Sequence, residues 1–200
     1  AALKIGDISQ AKAYDDTLID HGTKLNLLRT NLVLEVKKIY SDFVQILEQH
    51  NRRARLFSGI DIHLKSGFND QLGLEESLIQ SNSADLKRRT TNQGPHKADI
   101  IFESKDLLIK DTFSRGEQKM LSILWSLSQN IYLERFFKLS PILLLDDLSS
   151  ELDAEMLDCF LPIIKYIENR FIFSNIVDSF NSKIDLSEQS FKKFHVEQLI

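Results

Sequence analysis

The chain has 200 residues, of which 42% are apolar, and a formal net charge of −4 at pH 7. This length and composition predict one globular core with an appendage. The negative charge excludes a generally basic nucleic-acid binder, so any DNA contact has to come from a local patch or a dimer groove. The single cysteine, Cys159, excludes a disulfide framework and a cysteine-ligated zinc site, and its apolar surroundings predict a buried, inert thiol.

Membrane insertion and secretion are not indicated by the sequence. No apolar segment approaches the roughly 18 residues that span a bilayer. The chain does not open with a basic and then apolar signal peptide. We therefore expect a cytoplasmic protein without a membrane partner.

Apolar residues recur at steps of seven, three and four in the first quarter of the chain. This seam consists of Leu18, Leu25, Leu28, Leu32, Val36, Ile39, Phe43 and Ile46. The spacing predicts a long helix within a helical arm over residues 1–55, either one limb of a coiled coil or an ordinary amphipathic helix packed on the domain. The basic exit Asn51–Arg55 is explained by the negative C-terminal dipole of this helix and requires no DNA.

The middle of the chain combines regular elements with a basic segment. Residues 56–64 alternate as in a half-buried strand, and residues 72–86 have helical spacing. The cations that follow are either candidate DNA contacts or a solvated face; they are Lys87, Arg88, Arg89 and Lys97. The motif G-P-H-K-A-D at residues 94–99 predicts a restricted turn, but its residues alone do not define its role.

A polar glycine turn precedes the next long helix. Residues 99–104 and 107–109 predict a hairpin around Lys105 and Asp106, which leads to Ser114-Arg115-Gly116-Glu117 at the start of a helix that ends near Lys138. The aromatic residues of this helix have helical spacing and are predicted core residues; they are Trp125, Tyr132, Phe136 and Phe137.

The apolar run after Pro141 ends abruptly in two carboxylates. Ile142 to Leu145 predict a buried parallel strand, and Asp146-Asp147 lie where its carboxyl end would open on a ligand crevice. Ser150 and Asp153 have the spacing of a capping box before a helix, which Pro162 is expected to kink or interrupt. Further strands are predicted at residues 170–173 and 191–200. A glycine turn, a helix and a strand with paired carboxylates suit phosphate and Mg²⁺ in an α/β fold.

Three of these stretches resemble motifs of ABC-type ATPase heads. F-S-R-G-E-Q-K is similar to the signature motif, I-L-L-L-D-D to the Walker B strand and S-E-L-D to the D-loop. Together with G-P-H-K-A-D, they resemble the RecF family of bacterial DNA replication and repair proteins. The resemblance implies the C-terminal lobe of an ABC-type head over residues 56–200. Because the 200 residues contain no G-x-x-x-x-G-K-[ST] loop, we expect the C-terminal portion of a longer protein, inactive as an ATPase by itself.

The same resemblance implies ATP and Mg²⁺ as cofactors and a homodimer that sandwiches two nucleotides. Asp146 would hold Mg²⁺, directly or through water, and Asp147 would be catalytic by orienting or deprotonating the attacking water. Asn175 stands where many ABC heads have a switch histidine. The residues implied to face ATP held by the other subunit are Ser114, Arg115, Gly116, Glu117, Ser150, Asp153 and Asn175.

The function implied by the resemblance is recombinational DNA repair and the SOS response. The full-length protein would dimerise on double-stranded or gapped DNA, hydrolyse ATP weakly in a DNA-dependent way, and act with recombination-mediator proteins. Two other functions fit the residues. A metal-dependent nuclease would use Asp146, Asp147 and Asp153 as ligands, and a coiled-coil scaffold would self-associate without nucleotide.

Overall fold

The computed structural model describes residues 14–146, 152–166 and 170–173. The chain divides into two compact units. The first comprises Ala1–Ser41 and Gly59–Thr112, and the second comprises Asp42–Ser58 and Phe113–Ile200. Because the unit boundary falls within the long first helix, it does not coincide with the predicted boundary at residue 55. The division into arm and head therefore stays a prediction.

Helices and short strands alternate along the described residues. The helices are α1 (Asp15–His50), α2 (Arg55–Ser58), α3 (Gly73–Arg88), α4 (Ile109–Thr112), α5 (Arg115–Phe137) and α6 (Ala154–Tyr166). Short 3₁₀ turns lie at Arg52–Ala54 and Pro95–Lys97. The strands are β1 (Ile60–Lys65), β2 (Asp99–Ser104), β3 (Leu107–Leu108), β4 (Ile142–Leu145) and β5 (Arg170–Phe173). The predicted strand at residues 191–200 lies outside the described residues.

The predicted long helix is confirmed by α1, but only part of its predicted seam is buried. The buried apolar residues are Val33, Val36, Ile39, Tyr40, Phe43, Val44 and Leu47. In the earlier half, Leu25, Leu28 and Leu32 are 40%, 66% and 42% exposed. The heptad-like spacing therefore identifies the buried face in the second half of α1, whereas the first half presents its leucines to solvent.

The first unit contains a three-stranded antiparallel sheet in the order β1-β2-β3. Ile60 pairs with Ser104 and Lys65 with Asp99, which fixes the register of β1 and β2. The predicted hairpin between β2 and β3 is confirmed, and Lys105 and Asp106 both have positive φ, at 51° and 64°, as a tight two-residue hairpin turn requires. The prediction of a strand from residue 56 is wrong at its start, because residues 55–58 form α2.

The G-P-H-K-A-D motif lies against a second glycine and against α1. Gly94 has a φ of 138°, which favours glycine, and its N–H donates to the Gly67 carbonyl at 2.9 Å. A Cβ on Gly67 would lie 2.5 Å from the Gly94 oxygen. The Arg29 guanidinium donates to the Pro95 carbonyl at 2.7 Å, and a Cβ on Gly22 would meet Pro95 at 2.9 Å. The motif therefore joins the loop after α3 to α1.

The second unit contains α5, α6 and the parallel pair β4 and β5, in which Ile142 pairs with Arg170 and Leu145 with Phe173. The predicted parallel strand is confirmed, but its predicted burial is only partial, since Ile142 and Leu144 are 53% and 69% exposed. Proline does not interrupt α6, which continues through Pro162. The predicted burial of Cys159 is confirmed, and burial, followed by the nearby Glu155 carboxylate, raises the pKa of its thiol to about 11, which disfavours the reactive thiolate.

The aromatic residues of α5 differ in burial. Trp125 is buried, as predicted. Phe136 and Phe137 are 58% and 60% exposed, so their prediction as core residues is wrong. Both rings lie beside Tyr132, with centroids 4.6 Å and 6.1 Å away. Phe136 and Phe137 lie in the last turn of α5, beyond its last buried residue. The helical spacing of apolar residues continues there, but the described residues do not cover them.

None of the described helices is both long and apolar enough to cross a membrane.

A buried carboxylate organises the loop between α3 and the glycine motif. Asp85 is 5% exposed, and it accepts hydrogen bonds from the Ser81 hydroxyl at 2.9 Å and the Asn92 backbone N–H at 3.0 Å. The Asn92 side-chain amide donates to the same carboxylate. Asp85 therefore fixes the path of the chain from the end of α3 towards Gly94.

Replacing Asp85 with alanine should lower the free energy of unfolding by about 1–3 kcal/mol, because these buried donors lose their acceptor. Urea denaturation measures the change. Asp70→Ala, which removes an exposed carboxylate before α3, is the matched control and should have little effect. Equal losses for the two variants would contradict the role assigned to Asp85.

Candidate functional site

Helix α5 begins with a complete capping box. The Glu117 N–H donates to the Ser114 hydroxyl oxygen at 3.3 Å, and the Ser114 N–H donates to Oε2 of Glu117 at 2.8 Å. Ser114 has extended backbone angles, with φ −61° and ψ 163°, as an N-cap residue does. The predicted start of this helix is therefore confirmed at Ser114.

The next two residues carry backbone N–H groups that the helix does not use. The first N–H groups of an α-helix have no acceptor within it, and the positive end of the helix dipole lies there. In α5, the side chain and the carbonyl of Ser114 accept the N–H groups of Glu117 and Gln118. The backbone N–H groups of Arg115 and Gly116 are the two that have no acceptor within the helix. The Arg115 side chain is exposed and Gly116 is half-buried. This turn has the chemistry of an anion-binding site.

The end of strand β4 lies beside the first turns of α5. Asp146 is exposed and follows the last residue of the strand. The Lys119 ammonium group, from the E-Q-K part of the glycine turn, donates to the Asp146 backbone carbonyl at 3.5 Å. The structure thus brings together two motifs that are 27 residues apart in sequence. Asp147, the predicted catalytic residue, lies outside the described residues.

Asp153 is the N-cap of helix α6. Its Oδ1 accepts the Met156 N–H at 2.8 Å, and the helix begins at Ala154. Hydrogen bonding by the Met156 N–H and the nearby Arg53 charge hold the pKa of the Asp153 carboxyl below its usual value. The predicted capping box placed Ser150 at the helix start, whereas Asp153 itself is the cap. Ser150 and Asn175 lie outside the described residues.

A guanidinium group links the starts of both helices. Arg53 Nη1 lies 2.7 Å from Oε2 of Glu155 and 3.2 Å from Oδ2 of Asp153. Its Nη2 lies 3.9 Å from Oε1 of Glu117. Hydrogen bonding by Glu155 is the main reason that the pKa of Arg53 is raised. Sequence reasoning assigned Arg53 only to the helix dipole of α1, because nothing local marks partners about 100 residues away.

The predicted DNA contacts belong to the first unit. Lys87 and Arg88 end α3, Arg89 is its left-handed C-cap and Lys97 lies in the second 3₁₀ turn. All four side chains are exposed, and the Arg88 guanidinium donates to the Asn92 side-chain oxygen at 3.4 Å. Among the residues that the structure describes, no three His, Cys, Asp or Glu side chains are grouped to hold a metal ion. Asp146 as a Mg²⁺ ligand therefore stays a prediction.

The chain is similar in sequence to curated RecF proteins, although no protein-family model matches it. The DNA replication and repair protein RecF of Coxiella burnetii (strain Dugway 5J108-111) is 32% identical over 176 residues, which are 88% of this chain and 46% of that protein. RecF of Hahella chejuensis is 28% identical over 98% of this chain and 53% of that protein. The chain thus spans about half the length of the curated relatives it matches.

Solved structures give the same result for the fold. A structure described as the recombination mediator protein RecF with ATP in the RecFOR pathway matches with a TM-score of 0.59 and 25% identity, over 85% of this chain and 47% of that one. A second RecF structure from that pathway has a TM-score of 0.61, 23% identity and coverage of 85% and 46%. The fold is that of the C-terminal lobe of an ABC-type ATPase head. Over these residues, the chain matches the C-terminal part of RecF proteins in sequence and in fold.

The Asp153 cap provides a test of the local geometry that depends on pH. Asp153→Ala should lower the free energy of unfolding by about 1 kcal/mol at neutral pH. Because the folded-state pKa is lowered, the carboxylate stabilises the fold above its ordinary pKa, and this contribution is lost as the pH falls through the folded-state value. The difference between wild type and Asp153→Ala should therefore shrink below about pH 4.

Asp153→Ser is the matched control, because serine also caps helices but carries no charge. It should recover most of the neutral-pH loss, as measured by urea denaturation across the pH range. Asp153→Ala with wild-type stability at neutral pH would contradict the assigned cap.

Proposed function

We propose that this chain is the signature-bearing half of an ATPase that dimerises on DNA when it binds ATP. The observation that carries the proposal is the capped first turn of α5, which offers a serine hydroxyl and the N–H groups of Arg115 and Gly116 to an anion. The hydrogen bond from Lys119 of α5 to the Asp146 carbonyl adds the end of the parallel strand β4 to the same site. This arrangement suits a terminal phosphate presented by a second subunit.

The residues fit a nucleotide and its metal ion in distinct ways. Ser114 retains its hydroxyl hydrogen for donation, since its oxygen accepts the Glu117 N–H. Asp146 would hold Mg²⁺, Asp147 would orient a water molecule, and Asn175 would hydrogen-bond near the phosphate. Bound Mg²⁺ would neutralise charge on the phosphates. Ser150 and Asp153 would lie at the contact between the two subunits.

We propose that the loop that cradles the nucleotide phosphates is supplied by sequence beyond these 200 residues. The chain contains no G-x-x-x-x-G-K-[ST] motif, and it covers 46% of its Coxiella burnetii relative. A composite site of this kind needs both parts, so the 200 residues by themselves should not hydrolyse ATP. Weak, DNA-dependent hydrolysis is expected of the complete protein.

The proposed partners are double-stranded or gapped DNA and recombination-mediator proteins, in the cytoplasm. The curated relatives are named DNA replication and repair proteins, and the structural relatives are described as recombination mediators of the RecFOR pathway. The proposed role is to help load a recombinase at gaps and stalled forks during the SOS response. Within this chain, Lys87, Arg88, Arg89 and Lys97 are the proposed phosphate contacts, since all four are exposed cations of the first unit.

The two alternative functions receive less support. A nuclease would need Asp153 as a metal ligand, but both of its carboxylate oxygens are engaged, by the Met156 N–H and by Arg53. A scaffold that associates without nucleotide gives no role to the Ser114 turn. It remains the outcome to be tested against ATP-dependent association.

The first test measures self-association of the full-length protein by analytical ultracentrifugation with and without ATP and Mg²⁺. We expect dimers only with the nucleotide. Ser114→Arg should abolish them, because its bulk fills the space for the phosphate. Ser122→Arg adds the same side chain at an exposed position of α5, and this matched control should dimerise like wild type. Dimers indifferent to ATP and to Ser114→Arg would establish the scaffold instead.

The DNA contacts are tested by the salt dependence of binding. If Lys87 and Arg88 each contact a phosphate, replacing both with glutamine should reduce the slope of log K against log salt by roughly 1.8, at about 0.9 for each contact. Replacing Lys65 and Lys105, two exposed lysines of the same unit, with glutamine is the control for the loss of two positive charges. The same slope in wild type and in the Lys87 and Arg88 variant would remove these residues from the interface.

A further inference from the structure

Arg53 is held in place at the end of α1 by its own backbone. Asn51 caps the 3₁₀ turn that follows α1, and its side-chain oxygen accepts the Arg53 N–H at 2.9 Å. The next residue, Ala54, is fully buried, and its N–H donates to the Asn51 carbonyl at 3.1 Å. The start of the Arg53 side chain therefore has a fixed position relative to the last turns of α1.

The carboxylates that surround Arg53 are not ordinary surface partners. Glu117 uses its other oxygen, Oε2, to accept the Ser114 N–H at 2.8 Å. Asp153 uses its other oxygen, Oδ1, to accept the Met156 N–H at 2.8 Å. Each carboxylate therefore closes the first turn of a helix with one oxygen and faces Arg53 with the other. A guanidinium has five donors in a fixed planar fork, so it can contact carboxylates from two helices together.

We propose that Arg53 is a positioning residue that joins the end of α1 to the first turns of α5 and α6. These turns carry Ser114 and Asp153, the groups that would face the partner subunit and its nucleotide. A shift in the last turns of α1 therefore moves both turns together. The inference rests on the proposed function for its consequence, ATP-dependent dimerisation, but the joining of the turns can be measured without nucleotide.

The arrangement separates this role from a merely structural one. The Arg53 side chain is 28% exposed, its hydrogen-bonded partners Asp153 and Glu155 are 57% and 60% exposed, and Glu117, which is 18% exposed, lies 3.9 Å away, beyond hydrogen-bond distance. Ion pairs this open to solvent contribute little to global stability. Removing the guanidinium should therefore change the geometry of the two turns while leaving the thermal unfolding temperature nearly unchanged.

The test compares Arg53→Gln with Arg52→Gln in the full-length protein. Arg52 is an exposed residue of the same 3₁₀ turn, so its variant controls for the loss of one positive charge. Arg53→Gln should weaken ATP-dependent dimerisation on the order of tenfold and leave nucleotide binding by the isolated subunit unchanged, because Ser114 would act on the partner's nucleotide. Arg53→Lys should restore little, since one ammonium group cannot span both helices.

Hydrogen exchange supplies the second measurement, without nucleotide. In Arg53→Gln, the N–H groups of Ser114, Glu117 and Met156 should all exchange faster than in Arg52→Gln. Unchanged exchange, or faster exchange in only one of the two turns, would overturn the proposal. Faster exchange in both turns with unchanged ATP-dependent dimerisation would overturn the coupling to dimerisation. A wild-type protein that does not dimerise with ATP would contradict the proposed function, and the exchange rates would still decide whether Arg53 joins the turns.

Discussion

In the second unit, one guanidinium lies between carboxylates from two helix starts, 3.2 Å from Asp153 and 3.9 Å from Glu117. Glu117 and Asp153 each cap a helix with one oxygen and face Arg53 with the other, so the guanidinium adds a contact at the caps to the direct packing of α5 against α6. A helix start is the place where free N–H groups and the helix dipole favour an anion. The proposed contact of both starts with one partner surface depends on their spacing, to which Arg53 contributes.

A comparable constraint operates in the first unit, although it is made of backbone. Gly67 lies so close to the Gly94 carbonyl that it leaves no room for a side chain, Gly94 has a φ of 138°, and Pro95 is held by Arg29 of α1. The loop that carries Lys97 is thus fixed to the turn at Gly67 by a backbone hydrogen bond and to α1 by the hydrogen bond from Arg29. This accounts for the glycine and the proline of G-P-H-K-A-D as packing requirements. Its exposed cation is then a surface group on a rigid turn, which suits contact with a phosphate backbone.

The sequence correctly predicted those features of the fold that depend on neighbouring residues. Ser114 and Glu117 have the three-residue spacing of a capping box, and the helix begins there; Lys105 and Asp106 separate two apolar runs, and a hairpin turns there. It failed to predict burial and contacts that depend on residues far away in the sequence. Helical spacing cannot show that Phe136 lies beyond the packed part of α5, nor that Leu28 faces solvent. Arg53 reads as a helix-end cation because its partners become neighbours only after the chain has folded.

Mixed dimers test most directly whether the capped turn of one subunit completes the nucleotide site of the other, as we propose. One full-length subunit carries Ser114→Arg and the other carries Asp146→Asn, and ATP turnover is measured for each alone and for the mixture. If the turn acts across the dimer, the mixture contains one site with both groups intact and regains turnover that neither variant shows alone. If the turn acts on its own subunit's nucleotide, every site in the mixture is defective, and the absence of regained turnover would contradict the account.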